Sequence, residues 1–435
     1  MSLRSRLTPW LARAITSPRR LRLVRRWREA RRRLAGRPRR AVFYFRVDDP
    51  YSWLLLQVLP EFARHFDLRI EPRVLLYLDE RLYPAPEMLA RLAPVDAMRL
   101  AELQELVFPR DWQEPDPDAA FHATRILLKH EHDPAFWQLA GQLCHRLWHG
   151  DTDGIEEQLR TQGGVAADQA RLELEARRDN FLREGHYLTA TLYHEGEWYW
   201  SLERLDHLAL RLREENPLLP RSPRWYGAAK KARLESEPRP GRTLEFFFSF
   251  RSPYSYIALA RTFQLADHYQ LELVIRPVLP MVMRGLAVPP AKRFYILRDA
   301  AREAHLNGVP FGRICDPVGP GVERCMALWP FAEKEGRLRA WLLTAGEHIW
   351  SRGRDMASDR GLRAACEAAG LDWNRARRWL DDDDWRTRAE GNRAAMMAAG
   401  SWGVPTFRLD EEHTIWGQDR FGMLETLLQQ EENGS

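Results

Sequence analysis

Two short apolar runs, each rich in aromatic residues, have the composition of buried β-strands. The first covers residues 41–45 and the second covers residues 244–248. Each run is followed by a polar turn that contains proline and then by apolar residues at helical spacing, so each predicts a strand, a turn and a helix in succession. The prolines of the two turns, Pro50 and Pro253, lie 203 positions apart. This repeated order indicates that the chain contains two copies of one structural unit.

Further residues recur in the same order in both halves of the chain. The pairs are Arg73 with Arg276, Thr191 with Thr406, Trp200 with Trp416 and Arg204 with Arg420, at offsets that grow from 203 to 216. A slowly growing offset is what a duplication with short insertions leaves. The middle of each copy, residues 85–180 and 285–395, is rich in Ala, Leu, Arg and Glu and predicts a block of helices.

A segment rich in proline and charge, residues 223–241, predicts a linker between the copies. We therefore place the first domain at residues 41–222 and the second at residues 242–432, after an arginine-rich segment at residues 1–40. Two cores are expected because a single hydrophobic core rarely grows beyond about 250–300 residues.

The first 40 residues concentrate the positive charge of the chain. They hold fifteen arginines against one acid, Glu29, so their net charge of +14 leaves −9 for the remainder of a chain whose total is +5. Apolar residues near helical spacing, among them Trp10, Leu11 and Trp27, predict a basic amphipathic helix. Such a helix suits an anionic membrane surface or an RNA backbone. A solvated tail, a helix packed on the acidic remainder and a mitochondrial-type presequence are the alternatives.

The composition, 45% hydrophobic and 29% charged residues, is typical of a soluble globular protein. We find no secretory signal and no C-x-x-C pair among the four cysteines. We therefore expect a cytoplasmic protein, peripheral at the membrane if the basic segment docks there. Cys144, His145 and His149 are near one another in sequence but lack a closing ligand, so we expect no metal site.

Three motifs in the second copy carry the candidate chemistry. The first is the turn Ser252-Pro253-Tyr254-Ser255, which has no cysteine and therefore no thiolate for disulfide exchange. A serine at a helix N-terminus either caps the helix or donates a hydrogen bond to an anion there. The second motif is Gly403-Val404-Pro405-Thr406, and the third is Trp416-Gly417-Gln418-Asp419-Arg420. Their structural alternatives are an edge-strand proline and a helix-capping Asp419 paired with Arg420.

Together these motifs resemble the DsbA-like thioredoxin superfamily, in particular 2-hydroxychromene-2-carboxylate isomerases and kappa-class glutathione transferases. The resemblance implies an α/β protein of two thioredoxin-like (DsbA-like) domains, each with an all-helical insertion, of which the first is degenerate. It also implies glutathione as cofactor. Ser252 would stabilise the glutathione thiolate, a cis Pro405 would let Val404 pair with the cysteinyl part, and Asp419 would bind the γ-glutamyl group. The implied glutathione contacts are Tyr254, Val404, Pro405, Thr406, Gln418 and Asp419.

One segment departs from the family pattern. The glycine-rich stretch that ends in Asn in these enzymes is replaced here by residues 279–285, which contain no Asn. Four basic or polar residues follow this segment: Lys292, Arg293, Tyr295 and Arg302. They are either pocket groups for an acidic substrate or the glycyl carboxylate of glutathione, or part of a solvated helix face.

The expected function is a glutathione-dependent isomerase or transferase that acts on a small electrophilic substrate, an aromatic acid. A non-catalytic scaffold held on membrane or RNA by its basic segment is the alternative, and a thiol–disulfide oxidoreductase rests on fold analogy alone. In the first copy Asp49 stands where Ser252 stands and Ala190 where Pro405 stands, which indicates a structural role. Because the family enzymes are usually homodimers, two copies in one chain predict an internal pseudo-dimer and a monomer in solution.

Overall fold

The computed structural model describes residues 3–78, 82–219, 230–286, 288 and 290–430, with side chains from residue 8 onward. The chain divides into two compact units. The N-terminal unit is Arg22–Ala229, and the C-terminal unit combines Met1–Leu21 with Lys230–Ser435. No described helix has the length and hydropathy needed to cross a bilayer.

The chain begins with two helices rather than the single one that the sequence predicts. They are α1 (Leu3–Thr16) and α2 (Pro18–Leu34). Helix α1 belongs to the C-terminal unit, where the Arg313 guanidinium lies 4.9 Å from the ring centre of Trp10. From Arg22 onward, α2 belongs to the N-terminal unit. Of the predicted linker, residues 223–229 lie outside the described residues and the rest belongs to the C-terminal unit.

The N-terminal unit is a four-stranded sheet with helices between its second and third strands. Its elements are β1 (Arg40–Phe45), α3 (Pro50–Phe66), β2 (Arg69–Val74), α4 (Pro86–Leu103), α5 (Pro117–Lys129), α6 (Phe136–Trp148), α7 (Thr152–Gln162), α8 (Ala167–Glu184), β3 (Thr191–His194), β4 (Glu197–Trp200) and α9 (Leu205–Glu215). The strand order is β2-β1-β3-β4. Strand β1 is parallel to β2 and antiparallel to β3, which is antiparallel to β4.

The C-terminal unit has the same strand order and pairing, β6-β5-β7-β8. Its elements after α1 are β5 (Thr243–Phe248), α10 (Pro253–Tyr269), β6 (Glu272–Pro277), α11 (Pro290–Leu306), α12 (Pro320–Lys334), α13 (Leu338–Trp350), α14 (Asp359–Ala368), α15 (Trp373–Ala376), α16 (Asp384–Ala398), β7 (Thr406–Leu409), β8 (His413–Trp416) and α17 (Phe421–Gln429). The predicted strands and both helical blocks are therefore confirmed.

The core of the C-terminal unit forms because β5 is almost entirely apolar. Phe246 is fully buried and stacks on Phe407 of β7, with 5.0 Å between ring centres. The one acid of this strand, Glu245, is also buried, and it pairs with Arg276 of β6 and Arg408 of β7. Burial opposes its ionisation, but the two arginines outweigh burial and lower its pKa. The central strand is thus held by aromatic stacking and by a charge cluster.

Corresponding contacts recur in the two units at sequence offsets of 202 to 203. The Tyr51 hydroxyl donates to Asp96 at 2.8 Å, and the Tyr254 hydroxyl donates to Asp299 at 2.8 Å. The backbone bonds from Leu75 N to Phe45 O and from Val278 N to Phe248 O are both 2.8 Å long. The indoles of Trp148 and Trp350 donate to the carbonyls of Val47 and Phe250, each at 3.3 Å. Beyond strand order, the two units therefore share these three contacts.

Candidate functional site

The first predicted motif places Ser252 at the N-terminus of α10. Its backbone is extended and its hydroxyl oxygen accepts a hydrogen bond from the Ser255 amide at 3.1 Å, so it caps the helix. The same hydroxyl lies 3.3 Å from the carbonyl oxygen of Val404, to which it donates. Ser252 is half-buried. The capping interpretation is therefore correct. It does not exclude the donation of a hydrogen bond to an anion, because Ser252 also faces the second motif.

The second motif is a buried loop that leads into β7. The Val404–Pro405 peptide bond is cis, as the family resemblance implies. The Thr406 hydroxyl donates to the Gly403 carbonyl at 2.6 Å and lies 2.7 Å from the Ser401 hydroxyl. Thr406 is fully buried and its side chain shapes the loop, so its contact with glutathione stays a prediction.

The third motif is joined to the second by a backbone hydrogen bond. The Gly417 amide donates to the Pro405 carbonyl at 3.0 Å. Trp402 and Trp416, which flank the two motifs, pack with 5.2 Å between ring centres. One path of contacts thus runs from Ser252 through the cis-proline loop to Gly417, and the three motifs lie side by side as one candidate site.

The side chains of Gln418 and Asp419 are engaged inside the protein. Gln418 donates to Glu303 at 2.8 Å and accepts from Arg261, whose pKa burial lowers to about 10. Asp419 lies 3.3 Å from the Arg420 guanidinium, the pairing that its structural alternative predicts. A contact of Gln418 with glutathione would therefore use its backbone amide, and the role of Asp419 stays a prediction.

Helix α11 supplies partners that sequence analysis missed. Tyr254 donates to Asp299, which is fully buried and also accepts from Arg302 at 2.8 Å. Glu303, one helical turn further, is fully buried and accepts from Lys230 at 2.9 Å. The sequence did contain a sign of these contacts, since Asp299 and Glu303 lie four residues apart on a helix rich in Ala. If that side of the helix is buried, the two acids require polar partners.

Two cations lie near the segment that departs from the family pattern. Met281–Arg284 form a short 3-10 helix, and Arg284 donates to the carbonyl of Trp402 at 3.1 Å. Burial, together with nearby Arg393, lowers the pKa of Arg284. Lys292 on α11 is 9% exposed, and burial lowers its pKa to about 8. Lys292 is buried, and the Arg302 side chain is 9% exposed and paired with the buried Asp299, which excludes a solvated helix face for these two residues.

Part of this chain is similar to known proteins. The model of the DSBA-like thioredoxin domain family matches residues 243–429. Residues 243–429 belong to the DsbA-like thioredoxin family. The chain is 27% identical over 195 residues to 2-hydroxychromene-2-carboxylate isomerase of Pseudomonas putida, covering 42% of this chain and 93% of that protein. It is 26% identical over 215 residues to glutathione S-transferase kappa 1 of Rattus norvegicus, covering 44% and 92% respectively.

A solved structure of a 2-hydroxychromene-2-carboxylate isomerase is also similar to this chain. The sequence identity is 24% and the TM-score is 0.38, over 43% of this chain and 94% of that one. The assignment of residues 243–429 as a DsbA-like domain rests on the family match and the two curated relatives. It does not depend on this structural likeness.

The position in the N-terminal unit that corresponds to Ser252 of the DsbA-like domain is closed by internal hydrogen bonds. Asp49 caps α3 by accepting from the Tyr51 amide at 3.1 Å. Its second carboxylate oxygen accepts from Ser52 at 3.0 Å and from Thr189 at 2.6 Å. Burial raises the pKa of Asp49. Three internal donors thus occupy both oxygens of this carboxylate, and the structural role of this copy stays a prediction.

The cysteines are poorly suited to redox chemistry. Cys144, Cys315, Cys325 and Cys366 are all buried and form no disulfide. Burial raises the pKa of Cys315 to about 11 and of Cys366 to about 12, and raises the pKa values of the other two as well. Since the thiolate is the reactive form, these four thiols are inert near neutral pH.

Proposed function

We propose that the DsbA-like domain binds glutathione and acts as a glutathione-dependent isomerase or transferase on an electrophilic aromatic acid. The observation that carries the proposal is the Ser252 hydroxyl, which stands at the N-terminus of α10, 3.3 Å from the carbonyl that precedes cis-Pro405. The names of the curated relatives, an isomerase and a glutathione transferase, support the same reaction classes.

Bound glutathione supplies the thiolate nucleophile that this site itself lacks. Ser252 contributes a hydroxyl donor, and α10 contributes the positive potential of its N-terminus. Both favour the charged form of a thiol and lower its pKa. The hydrogen bond from the Ser255 amide fixes the Ser252 oxygen, so the donor is oriented before the ligand arrives.

We further propose that Arg284 holds the carboxylate of the acidic substrate or of glutathione. Its guanidinium contacts the Trp402 carbonyl, immediately before the cis-proline loop. The buried Nε atom of Arg284 has no hydrogen-bond partner within the described part of the chain. An unsatisfied buried N–H group indicates an acceptor that is supplied by a ligand or by solvent. A carboxylate would satisfy it and compensate the buried charge.

A thiol–disulfide oxidoreductase is the weaker alternative, because the active-site turn has no cysteine and the four thiols are buried.

For the N-terminal unit we infer a duplicated domain whose site has been lost. The shared strand order and the corresponding Tyr51 and Tyr254 hydrogen bonds support this inference. Its role is then structural.

A conjugation assay tests the proposal. Glutathione and 1-chloro-2,4-dinitrobenzene, an aromatic electrophile, are offered to the protein and to the variants Ser252→Ala and Asp49→Ala. Both variants lose a helix cap, at a cost of about 1 kcal/mol in stability. We expect Ser252→Ala to lose about tenfold or more in turnover and Asp49→Ala to retain it. Equal turnover in all three proteins would remove Ser252 from the mechanism.

A further inference from the structure

Helix α2 turns its charged side toward the N-terminal unit. Arg25 donates two hydrogen bonds of 2.8 Å to Glu197 and lies 3.1 Å from Glu214. Glu29 is buried and pairs with Arg32 of the same helix at 2.7 Å. Such charge-assisted contacts fix the orientation of the helix about its own axis.

The opposite side of α2 exposes large apolar residues. Leu23 is 65% exposed, Trp27 is 57% exposed and Leu34 is 89% exposed. Positions 23, 27 and 34 are four and seven residues apart, which places them on one side of a helix with about 3.6 residues per turn. An amphipathic helix normally buries its apolar side, so this orientation leaves an apolar stripe without a partner in the described structure. We call Leu23, Trp27 and Leu34 the apolar stripe.

Arginines flank the apolar stripe. Arg22 and Arg26 are exposed and form no ion pair among the residues that the structure describes. They line a cavity of about 480 Å³. The three acids of this cavity already pair with other arginines. Glu29 pairs with Arg32 and Arg33, Glu214 with Arg25, and Glu215 with Arg211. On the other flank, the Arg31 guanidinium lies 4.7 Å from the ring centre of Trp27.

We propose that α2 is an interfacial helix that binds an anionic lipid surface. An apolar stripe of Leu and Trp, bordered by arginines with free guanidinium groups, is the composition of helices that lie in the headgroup region. The tryptophan suits the boundary between headgroups and acyl chains, and the arginines attract lipid phosphates. RNA would pair with the arginines but would leave the two leucines exposed to water, so the apolar stripe favours the membrane.

Vesicle flotation of the full chain tests this proposal. The two probes are vesicles of phosphatidylcholine alone and vesicles with equimolar phosphatidylcholine and phosphatidylglycerol. One variant combines Leu23→Ser, Trp27→Ser and Leu34→Ser, and a second combines Arg22→Glu and Arg26→Glu. Leu172→Ser is the matched control, because Leu172 lies on another helix of the same unit and is 70% exposed. All the substituted side chains are exposed, so each variant should fold, which its melting temperature verifies.

We expect the protein and Leu172→Ser to float with the anionic vesicles and to float less with the neutral ones. The apolar-stripe variant and the charge-reversal variant should each lose about tenfold or more in partitioning. Absence of flotation in the unchanged protein, or undiminished flotation of the apolar-stripe variant, would overturn the proposal. Tight binding of polyuridylic acid, measured by fluorescence anisotropy, without vesicle binding would assign the helix to RNA instead.

Discussion

At the scale of single residues, the Ser252 hydroxyl accepts one hydrogen bond and donates another. It accepts from Ser255 within its own helix and donates to Val404 on a distant loop. A ligand thiolate placed in this turn would compete with the Val404 carbonyl for the donated hydrogen, which is a low-cost exchange because one acceptor replaces another. The residue can therefore cap a helix in the free protein and stabilise a thiolate in the complex.

Tyr254→Phe should lower stability and also weaken glutathione binding. It removes a hydrogen bond to the buried Asp299 carboxylate, which costs about 1–3 kcal/mol in the free energy of unfolding. Tyr51→Phe is the matched control, since it removes the corresponding bond to Asp96 in the N-terminal unit. Denaturant unfolding should show similar losses, and calorimetry should show weaker glutathione binding for Tyr254→Phe only. Equal glutathione affinity in both variants would mean that Tyr254 has no place in the site.

Lys292 should make stability depend on pH in the alkaline range. Burial lowers its pKa from 10.5 to about 8. Between pH 8 and 10.5 the unfolded chain binds more protons than the folded chain, so the free energy of unfolding rises with pH. Below pH 8 the buried Lys292 is charged, and its full desolvation cost lowers stability. Relative to Lys292→Met, the unchanged protein should gain about 3 kcal/mol between pH 8 and 10.5. Denaturant unfolding at several pH values measures the difference, and parallel curves would show that Lys292 is solvated.

How far the sequence predicts the site depends on how local each residue's role is. Ser252 and Pro405 lie in short motifs whose residues are close in sequence, so both could be identified. Arg261, Arg284 and Glu303 act through residues more than one hundred positions away, at Gln418 and Trp402. Such partners follow from tertiary packing, and a single sequence does not contain that information.

At the scale of elements, the arginine-rich segment differs most from expectation. Its composition predicts one amphipathic helix, whereas the structure has α1 and α2, which belong to different units. The helical spacing was recognised, but the partners were not. Arg25 donates to Glu197 of β4, and Arg33 donates to the carbonyl of Glu215 at the end of α9. Part of the positive charge of α2 is therefore paired within the N-terminal unit. Charge alone does not reveal which arginines are paired.

Arg25→Ala should loosen α2. It removes the paired hydrogen bonds to Glu197 and leaves that partly buried carboxylate with fewer partners. Amide hydrogen exchange in α2 should accelerate by about tenfold or more. Arg22→Ala is the control, because Arg22 is exposed and should leave exchange unchanged. Similar protection of α2 in both variants would show that the ion pairs do not hold this helix.

At the scale of the whole molecule, one strand order occurs twice, in sheets β2-β1-β3-β4 and β6-β5-β7-β8. The sequence predicted that one unit is repeated, though not its strand order, because the strand-and-turn pattern recurs after 203 positions. The repeat also aligned Asp49 of the first copy with Ser252 of the second. The structure shows what this difference in residue type does, since the hydrogen bonds that Asp49 accepts all come from its own unit. The unit boundaries were less predictable, because α1 joins the C-terminal unit from the far end of the chain.

We propose that the two similar units of one chain make a second subunit unnecessary. The protein should then be a monomer in solution, since the two copies already occupy one chain. Light scattering coupled to size-exclusion chromatography should give a mass of 51.0 kDa. A stable species of twice that mass at micromolar concentration would contradict this arrangement.

The most direct test of the account is calorimetric titration of glutathione into the protein, Ser252→Ala and Ser358→Ala, each in two buffers of different ionisation enthalpy. Ser358 caps α14 in the same unit, accepting from the Gly361 amide at 3.2 Å, so its variant matches the stability cost of the other without touching the site. We predict binding with proton release, unchanged in Ser358→Ala and reduced in Ser252→Ala. Proton release that is equal in all three proteins, or no binding of glutathione, would contradict a thiolate-stabilising site at Ser252.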